Sequence, residues 1–373
     1  MSLAVQVFLR ENGTLDDLLR LYAIKAKRHP KFQNLVMLKY SQIDSPFAEE
    51  IVQDCRGIIL DESRDWGVVC YTLRKFFNFS ETLAATIQWP TARVEEKVDG
   101  SLMQLYHYAG EWHVASSGTP DAGGFVMNNN MTDETMSFAQ LFWKTFKELE
   151  YSTSLFVHEF SYAFELMTPL NKVVVPHTTK KLALLCVRNR TTGQELAVRE
   201  HAAYLGLPTV KTFQLQSWDE CVEAARSLSP AESEGYVVVD ANWNRVKMKS
   251  PAYVALAHLR DSSVSSAKAI VNVVRNGEST EFLAYFPEWQ KTFDDVRERY
   301  ASLVSECDAK YATLKHLTVR KEFALEAQKF RWPAPLYLMF TGKIATSRDF
   351  FKDVHVKHLM EALRVEDTPA AEE

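Results

Sequence analysis

The sequence predicts an α+β protein in which an antiparallel-sheet domain, residues 1–255, is followed by an all-helical C-terminal domain, residues 256–373. Three observations lead there. The chain has 373 residues, more than one hydrophobic core usually serves, so two domains are expected. Between about residues 35 and 250 the apolar runs are short, rich in β-branched and aromatic residues, and bounded by turn formers, the pattern of strands. After Pro251 that texture stops and apolar residues recur at helical spacing, which puts a boundary near 252–262.

Taken in order, Thr14 followed by Asp17 reads as a capping box, and Leu15, Leu18, Leu19 and Tyr22 carry a helix to about Lys27. Strands are expected from "NLVMLKYSQ" to "CYTLRKFFNF". Residues 94–116 read as a hairpin closed at Ala109-Gly110, with Leu102, Gln104, Tyr106 and Tyr108 on one face and Met103, Leu105 and His107 on the other. A helix is expected over 132–150, capped by Thr132, with Asp133 and Glu134 in its first turn and Leu141, Phe142, Phe146 and Leu149 as its buried stripe. Strands return at "LFVHEFSYAFELM", "KVVVP", "KLALLCVRN", "EGYVVVD" and "RVKMKS", interrupted by a helix over 218–228 that starts at Ser217. The C-terminal part reads as helices over 264–275, 288–317, 319–330 and 348–363, then a short acidic tail.

Composition excludes several classes. Hydrophobic content of 46% and charged content of 24% belong to a folded chain, not a disordered one. The five cysteines are scattered, without CxxC spacing, so neither a disulfide framework nor a zinc site is indicated and a reducing compartment fits. No apolar run approaches the ~20 residues that span a bilayer, and the N-terminus lacks a signal pattern, so no membrane partner and a cytoplasmic location are expected. Net charge of −5 argues against a basic coat, yet residues 310–360 hold ten Lys and Arg against four Asp and Glu, so a local nucleic-acid surface stays open.

Four short strings carry the candidate chemistry, and each has a bland reading. "KVDG" at Lys97 is either the shoulder of a surface hairpin turning at Asp99-Gly100 or the site of a nucleophilic lysine. In "FELMTP", Glu165 shares a strand face with Glu159, Ser161 and Ala163, which would ordinarily face solvent. "SEGYVVVD" sets Glu234 in a turn before an apolar strand. "NRVKMKS" puts Arg245, Lys247 and Lys249 on one face, a repulsion tolerable on a solvated edge strand and useful beside a polyanion. The lysine of "FTGKIA" is not a P-loop, because no glycine stands five before Gly342. His316, His355 and His358 read as helix-surface residues rather than a metal cluster.

In this order the four strings resemble the motifs of the covalent nucleotidyltransferases, ATP-dependent ligases and mRNA capping enzymes. "DCRGIILD" at 54–61, "RKFFNFSE" at 74–81, "LKYSQ" around Tyr40 and "PLNKVVV" narrow the resemblance to the RNA ligase 1 family, whose prototype is the bacteriophage T4 enzyme. The specific motifs span roughly 35–255; beyond, the likeness rests on length and helical character.

The resemblance implies a nucleotidyltransferase domain of the ATP-grasp-like ligase type, in which Lys97 attacks the α-phosphorus of ATP and holds AMP. It implies AMP transfer to an RNA 5′-phosphate and sealing by a 3′-hydroxyl. Lys247 and Lys249 would assist as cations, Glu234 would hold Mg²⁺, and Glu165 would contact the ribose. Arg56 and Lys75 would touch phosphates, with Phe77 in the same motif, and Tyr40 would be either a nucleotide contact or a core residue. The expected partner is RNA, including cleaved tRNA, acted on by a monomer in the cytoplasm, the host's for a viral protein. One departure is Ser116-Ser117-Gly118, where family members commonly carry a basic residue in the middle, so one phosphate contact is weakened or comes from elsewhere. An mRNA guanylyltransferase is disfavoured by the helical C-terminal part, since an OB-fold is expected there. A catalytically silent RNA-end-binding protein is disfavoured by the intact motifs.

Overall fold

The computed structural model describes residues 2–126, 136–259 and 266–365. The chain divides into two compact units, Met1–Val254 and Ala255–Glu373.

The first unit is built on three sheets. Its strands, numbered along the chain, are β1 (Ile24–Arg28), β2 (Leu35–Tyr40), β3 (Arg56–Asp61), β4 (Gly67–Cys70), β5 (Phe77–Asn78), β6 (Arg93–Lys97) and β7 (Ser101–Tyr108). They continue with β8 (Glu111–Ser116), β9 (Phe160–Met167), β10 (Lys181–Asn189), β11 (Glu195–Leu196), β12 (Thr212–Phe213), β13 (Gly235–Val239) and β14 (Arg245–Lys249). The sheet orders are β1-β2-β3-β4, β11-β10-β9-β7-β8 and β12-β6-β13-β14-β5. Among the described residues, the named strands pair antiparallel except β14 with β5.

Helices of this unit are α1 (Ala4–Val7), α2 (Leu15–Tyr22), α3 (Glu50–Asp54), α4 (Phe138–Glu148), α5 (Val198–Leu205) and α6 (Trp218–Arg226), with α7 (Pro251–Leu259) beginning at its end. Alternation along β7 and β9 gives the middle sheet two apolar faces. Met103, Leu105, Tyr162 and Phe164 pack against Leu141, Phe142 and Phe146 of α4. Tyr106 meets Leu35, Met37 and Ile59 of the first sheet on the other side. The third sheet buries Val94, Val238, Val246 and Met248 under Cys221 and Ala225 of α6. Its opposite face is thereby left to carry the charged residues of β6 and β14.

Several expectations need correction. The hairpin over 94–116 is split: β7 and β8 form a hairpin, but β6 belongs to another sheet, so Val98–Gly100 is a crossover and not a turn. Helix α2 stops at Tyr22 because Ala23 is left-handed, and Ile24–Arg28 is a strand paired with β2. "KVVVP" forms no strand, since the backbone N–H groups of Val174 and Val175 are given to Asp99. Residues 71–76 and 155–159 are likewise outside strands. Helix α4 is capped by Ser137, which exchanges hydrogen bonds with Gln140. The expected cap at Thr132, with Asp133 and Glu134, lies outside the described residues. On the face expected to be solvated, Ser161 and Ala163 are fully buried, Glu165 is partly so, and Glu159 is exposed.

Among its described residues the second unit contains helices and no strands: α8 (Ser266–Asn276), α9 (Ser279–Tyr285), α10 (Gln290–Leu314), α11 (Arg320–Ala327), α12 (Pro333–Phe340), α13 (Ser347–Asp353) and α14 (Val356–Leu363). One core joins Val271, Phe293, Tyr300, Leu303 and Leu359, and a second joins Leu314, Phe323, Leu336 and Met339. The single helix expected over 348–363 is two, because Val354 and His355 adopt non-helical backbone between them.

Candidate active site between two sheets

Register brings the charged residues together. Gly235 on β13 is opposite Lys97 on β6 and opposite Lys249 on β14, while Val237 lies between Glu95 and Lys247. Residues paired across antiparallel strands share a face, so Lys97, Lys247 and Lys249 project together. Gly235 is required at the centre: its φ is +147°, and a Cβ there would lie 2.1 Å from the Met248 carbonyl oxygen.

The Lys97 ammonium is in contact with the Glu234 carboxylate, whose other oxygen lies 3.5 Å from Lys249 Nζ. Glu234 is buried, with Lys97 and Lys249 about one-fifth exposed. One acid therefore holds two lysines at a cavity of about 350 Å³ between the middle and third sheets. Glu165 of β9 and Arg56 of β3 line it from the opposite side.

Glu165 keeps partial exposure at the cavity wall. Burial by the surrounding protein is the main force on its carboxyl, and with Glu234 and Asp99 nearby it outweighs the pull of Lys97 and Arg56, raising the pKa to about 8. Burial also pulls the Arg56 guanidinium down from its ordinary value, against Tyr40 and Glu165. Arg56 lies 4.7 Å from the Phe76 ring and donates to the Arg74 carbonyl at 3.2 Å.

The crossover after Lys97 is anchored by Asp99, which is 4% exposed. Its carboxylate accepts from the N–H of Val174 at 2.7 Å, the N–H of Val175 at 2.6 Å and the hydroxyl of Tyr253 at 2.8 Å. Gly100 lets the crossover pass close to β9, since a Cβ there would stand 2.5 Å from the Leu166 carbonyl oxygen. Asn171 ties the same corner by donating to Ser101 at 3.0 Å and to the Leu166 carbonyl at 2.7 Å.

Of the nine residues singled out from sequence, Lys97, Lys247, Lys249, Arg56, Glu165 and Glu234 line this cavity. The other three stand apart from its lining. Lys75 is buried with its ammonium 5.4 Å from the Tyr40 ring, 4.9 Å from Phe47 and 5.0 Å from Phe77. Three rings around one ammonium make a cation–π cage. Tyr40 of this cage is also an electrostatic neighbour of Arg56, which lines the cavity.

Sequence reasoning gave no role to Asp99, Tyr253 or Glu195. The signal for Asp99 was its place in "KVDG", read there as a turn. Glu195, 4% exposed, accepts from Arg188 at 2.8 Å and from both terminal nitrogens of Arg245, one of them at 2.9 Å. Burial opposes the Arg245 charge, but the Glu195 carboxylate overcomes it and holds the guanidinium above its usual value. Nothing in the local sequence around Glu195 marks it.

A lysine with acids and further lysines on neighbouring strands, facing a cleft between antiparallel sheets, is an arrangement suited to phosphoryl chemistry, and comparison with known proteins gives the family. The RNA ligase family model of the phage T4 RNA ligase 1 type matches residues 54–253, and the chain belongs to that family. A protein of Autographa californica nuclear polyhedrosis virus described as a bifunctional polynucleotide kinase/RNA ligase is 29% identical over 315 residues, covering 79% of this chain. The alignment spans 44% of that relative, less than half its length. An RNA ligase of Rhodothermus phage RM378 is 25% identical over 340 residues, covering 75% of this chain and 76% of its own. Among solved structures, an archaeal ATP-dependent RNA ligase aligns with a TM-score of 0.49 at 17% identity, covering 82% of this chain and 83% of that one. Among the described residues no helix is long and apolar enough to cross a membrane.

Proposed function

We propose that this chain is an ATP-dependent RNA ligase that joins 5′-phosphate and 3′-hydroxyl ends, with Lys97 as the nucleophile. The observation that carries the reading is the convergence of Lys97, Glu234, Lys249 and Glu165 on one cavity in a chain of the RNA ligase family. A lysine attacks only as the neutral amine, so the ammonium beside Glu234 must first give a proton to solvent, which its one-fifth exposure admits. The amine then bonds to the α-phosphorus of ATP as the bond to the β-phosphate oxygen breaks, and pyrophosphate leaves with that electron pair. An RNA 5′-phosphate oxygen next displaces the lysine and takes the AMP. A 3′-hydroxyl displaces AMP and closes the phosphodiester.

Lys247 and Lys249 supply positive charge where the pentavalent phosphorus gathers negative charge, the chief lever in phosphoryl transfer. Glu165, protonated near neutral pH, can donate to a ribose hydroxyl as well as accept from one. No group of three or more His, Cys, Asp and Glu among the described residues is disposed to hold a metal. Glu234 would therefore hold Mg²⁺ together with phosphate oxygens and water, as that ion's habits allow, and the ion would neutralise phosphate charge.

The substrate that suits this reading is a broken single-stranded loop, a cleaved tRNA among them. Lys315, Arg320 and Lys321, all exposed on the second unit, would bind structured RNA through phosphates. Incubation with radiolabelled ATP, then with GTP, followed by denaturing electrophoresis tests the reaction class. Label from ATP alone, abolished in Lys97→Ala, is the expected result. Label from GTP would indicate capping, and label from neither would leave an RNA-end binder.

A further inference from the structure

The sheet that carries Lys97 ends in the two-residue strand β12, which pairs with β6 through Thr212 opposite Glu95 and Phe213 opposite Val94. Beyond that edge lies a second cavity of about 630 Å³, inside the roughly 300–1,000 Å³ range of ligand sites. Trp89 and Pro90 wall it on one side, Arg199 of α5 contributes a guanidinium, and Arg93 stands where β6 begins. Phe213 and the amides of Gln214 and Gln216 complete it.

The chemistry of this lining is selective. No carboxylate lines it, in a chain with 48 Asp and Glu. Glu95 accepts from Arg93 at 2.6 Å and so takes up that guanidinium, which leaves Arg199 as the cation open to a ligand, and Glu220 accepts from the Gln216 N–H at 2.8 Å. Arg199 is exposed and has no hydrogen bond or ion pair with any described residue. Trp89 meets Trp218 with ring centroids 5.2 Å apart, and Trp218 meets the exposed Phe79 at 5.1 Å, so an aromatic surface continues from the groove.

We propose that this groove binds an unpaired stretch of the RNA strand, a few nucleotides from the end that reacts at Lys97. Flat aromatic faces take bases by stacking without regard to sequence, an arginine such as Arg199 takes a phosphate and stacks as well, and amides reach base edges. Arg93 and Lys97 are the two ends of β6, about 13 Å apart along the strand, while Phe213, opposite the buried Val94, and Trp89 lie on the other face of that sheet, so an RNA strand would pass round the β12 edge between the groove and Lys97. The inference rests on the ligase reading for the identity of the strand, while its test does not require the reaction.

Full-length wild type and Arg199→Glu are compared by fluorescence anisotropy with 5′-phosphorylated oligoadenylates of about three and about twelve nucleotides, at about 50 and about 200 mM salt. The longer RNA is expected to bind wild type at least about tenfold more tightly than the shorter. Arg199→Glu is expected to lose at least about fivefold for the longer RNA alone, with a salt dependence shallower by about one phosphate contact. A twelve-nucleotide probe carrying 5-iodouracil at internal positions is expected to crosslink to peptides containing Trp89 or Phe213, a readout that no folding defect confounds. Equal affinity for both lengths, equal loss for both in Arg199→Glu, or crosslinks confined to other segments would overturn the groove, including the case where β12 captures a peptide strand instead. Length-dependent loss supports the groove whether or not wild type takes label from ATP; absent label refutes only the ligase reading.

Discussion

Strand β14 carries cations at both ends, and a buried carboxylate meets each end differently. At Arg245 the partner is Glu195, which also holds Arg188; at Lys249 it is Glu234, which also holds Lys97. Arginine is a planar fork that stays charged, so the first cluster is a permanent strut of directed hydrogen bonds. Lysine is a point charge on a flexible stem that can give up its proton, so the second cluster can change state. Four residues apart on one strand, the same pattern of one acid and two bases makes a fixture at one end and, on the proposed reading, a reactive site at the other.

The largest way to break this comparison is Glu195→Gln. It leaves two buried guanidinium groups without their counter-charge and is expected to cost about 3–5 kcal/mol, read from the urea midpoint. Asp99→Ala comes next: two buried N–H groups and a tyrosine hydroxyl lose their acceptor, for about 2–4 kcal/mol in the same measurement. Glu234→Gln is expected to cost about 1–2 kcal/mol, less than Glu195→Gln, because its lysines keep partial exposure. Its ATP label should nevertheless fall at least about tenfold. If it cost as much stability as Glu195→Gln, the two clusters would be alike and the distinction would fail.

A pH series sharpens the same contrast. The Glu165 carboxyl is raised to about 8 in the folded chain, above its unfolded value, so the folded state binds the extra proton. The stability this confers is complete below the unfolded pKa and is lost as pH rises through about 8, by about 1–3 kcal/mol. Glu165→Gln should flatten that decline in urea melts between about pH 5 and 8. The smallest effect expected is that of Lys249→Arg, within about 1 kcal/mol in stability, with the loss appearing in the rate of label formation.

The lysine cluster was more legible in sequence than the strut. Alternation along β14 puts Lys247 and Lys249 on one face whatever surrounds them, and the order of the motifs carried Lys97, Glu165 and Glu234 into the same set. The partner of Arg245 was invisible because Glu195 comes from a two-residue strand some fifty positions away, fixed only by tertiary pairing. Lys75 and Phe77 were grouped with the nucleotide by motif, whereas the backbone turns Lys75 into rings supplied by Tyr40 and Phe47. "KVVVP" has strand composition, but composition cannot report that a distant aspartate takes its N–H groups. The split hairpin failed for a related reason: Asp99-Gly100 has the residues of a tight turn, and only the choice of sheet for β6 decides that it is not one.

That crossover has a mechanical consequence. Lys97 ends a strand of one sheet and, after three intervening residues, Ser101 begins a strand of another. A hinge motion that separates the sheets would draw the amine away from Glu165, and one that closes them would return it. Ligand-driven compression of the cleft would thus be transmitted to Lys97 by backbone alone, and a pair of spectroscopic probes across the seam would register ligand binding as a change in length.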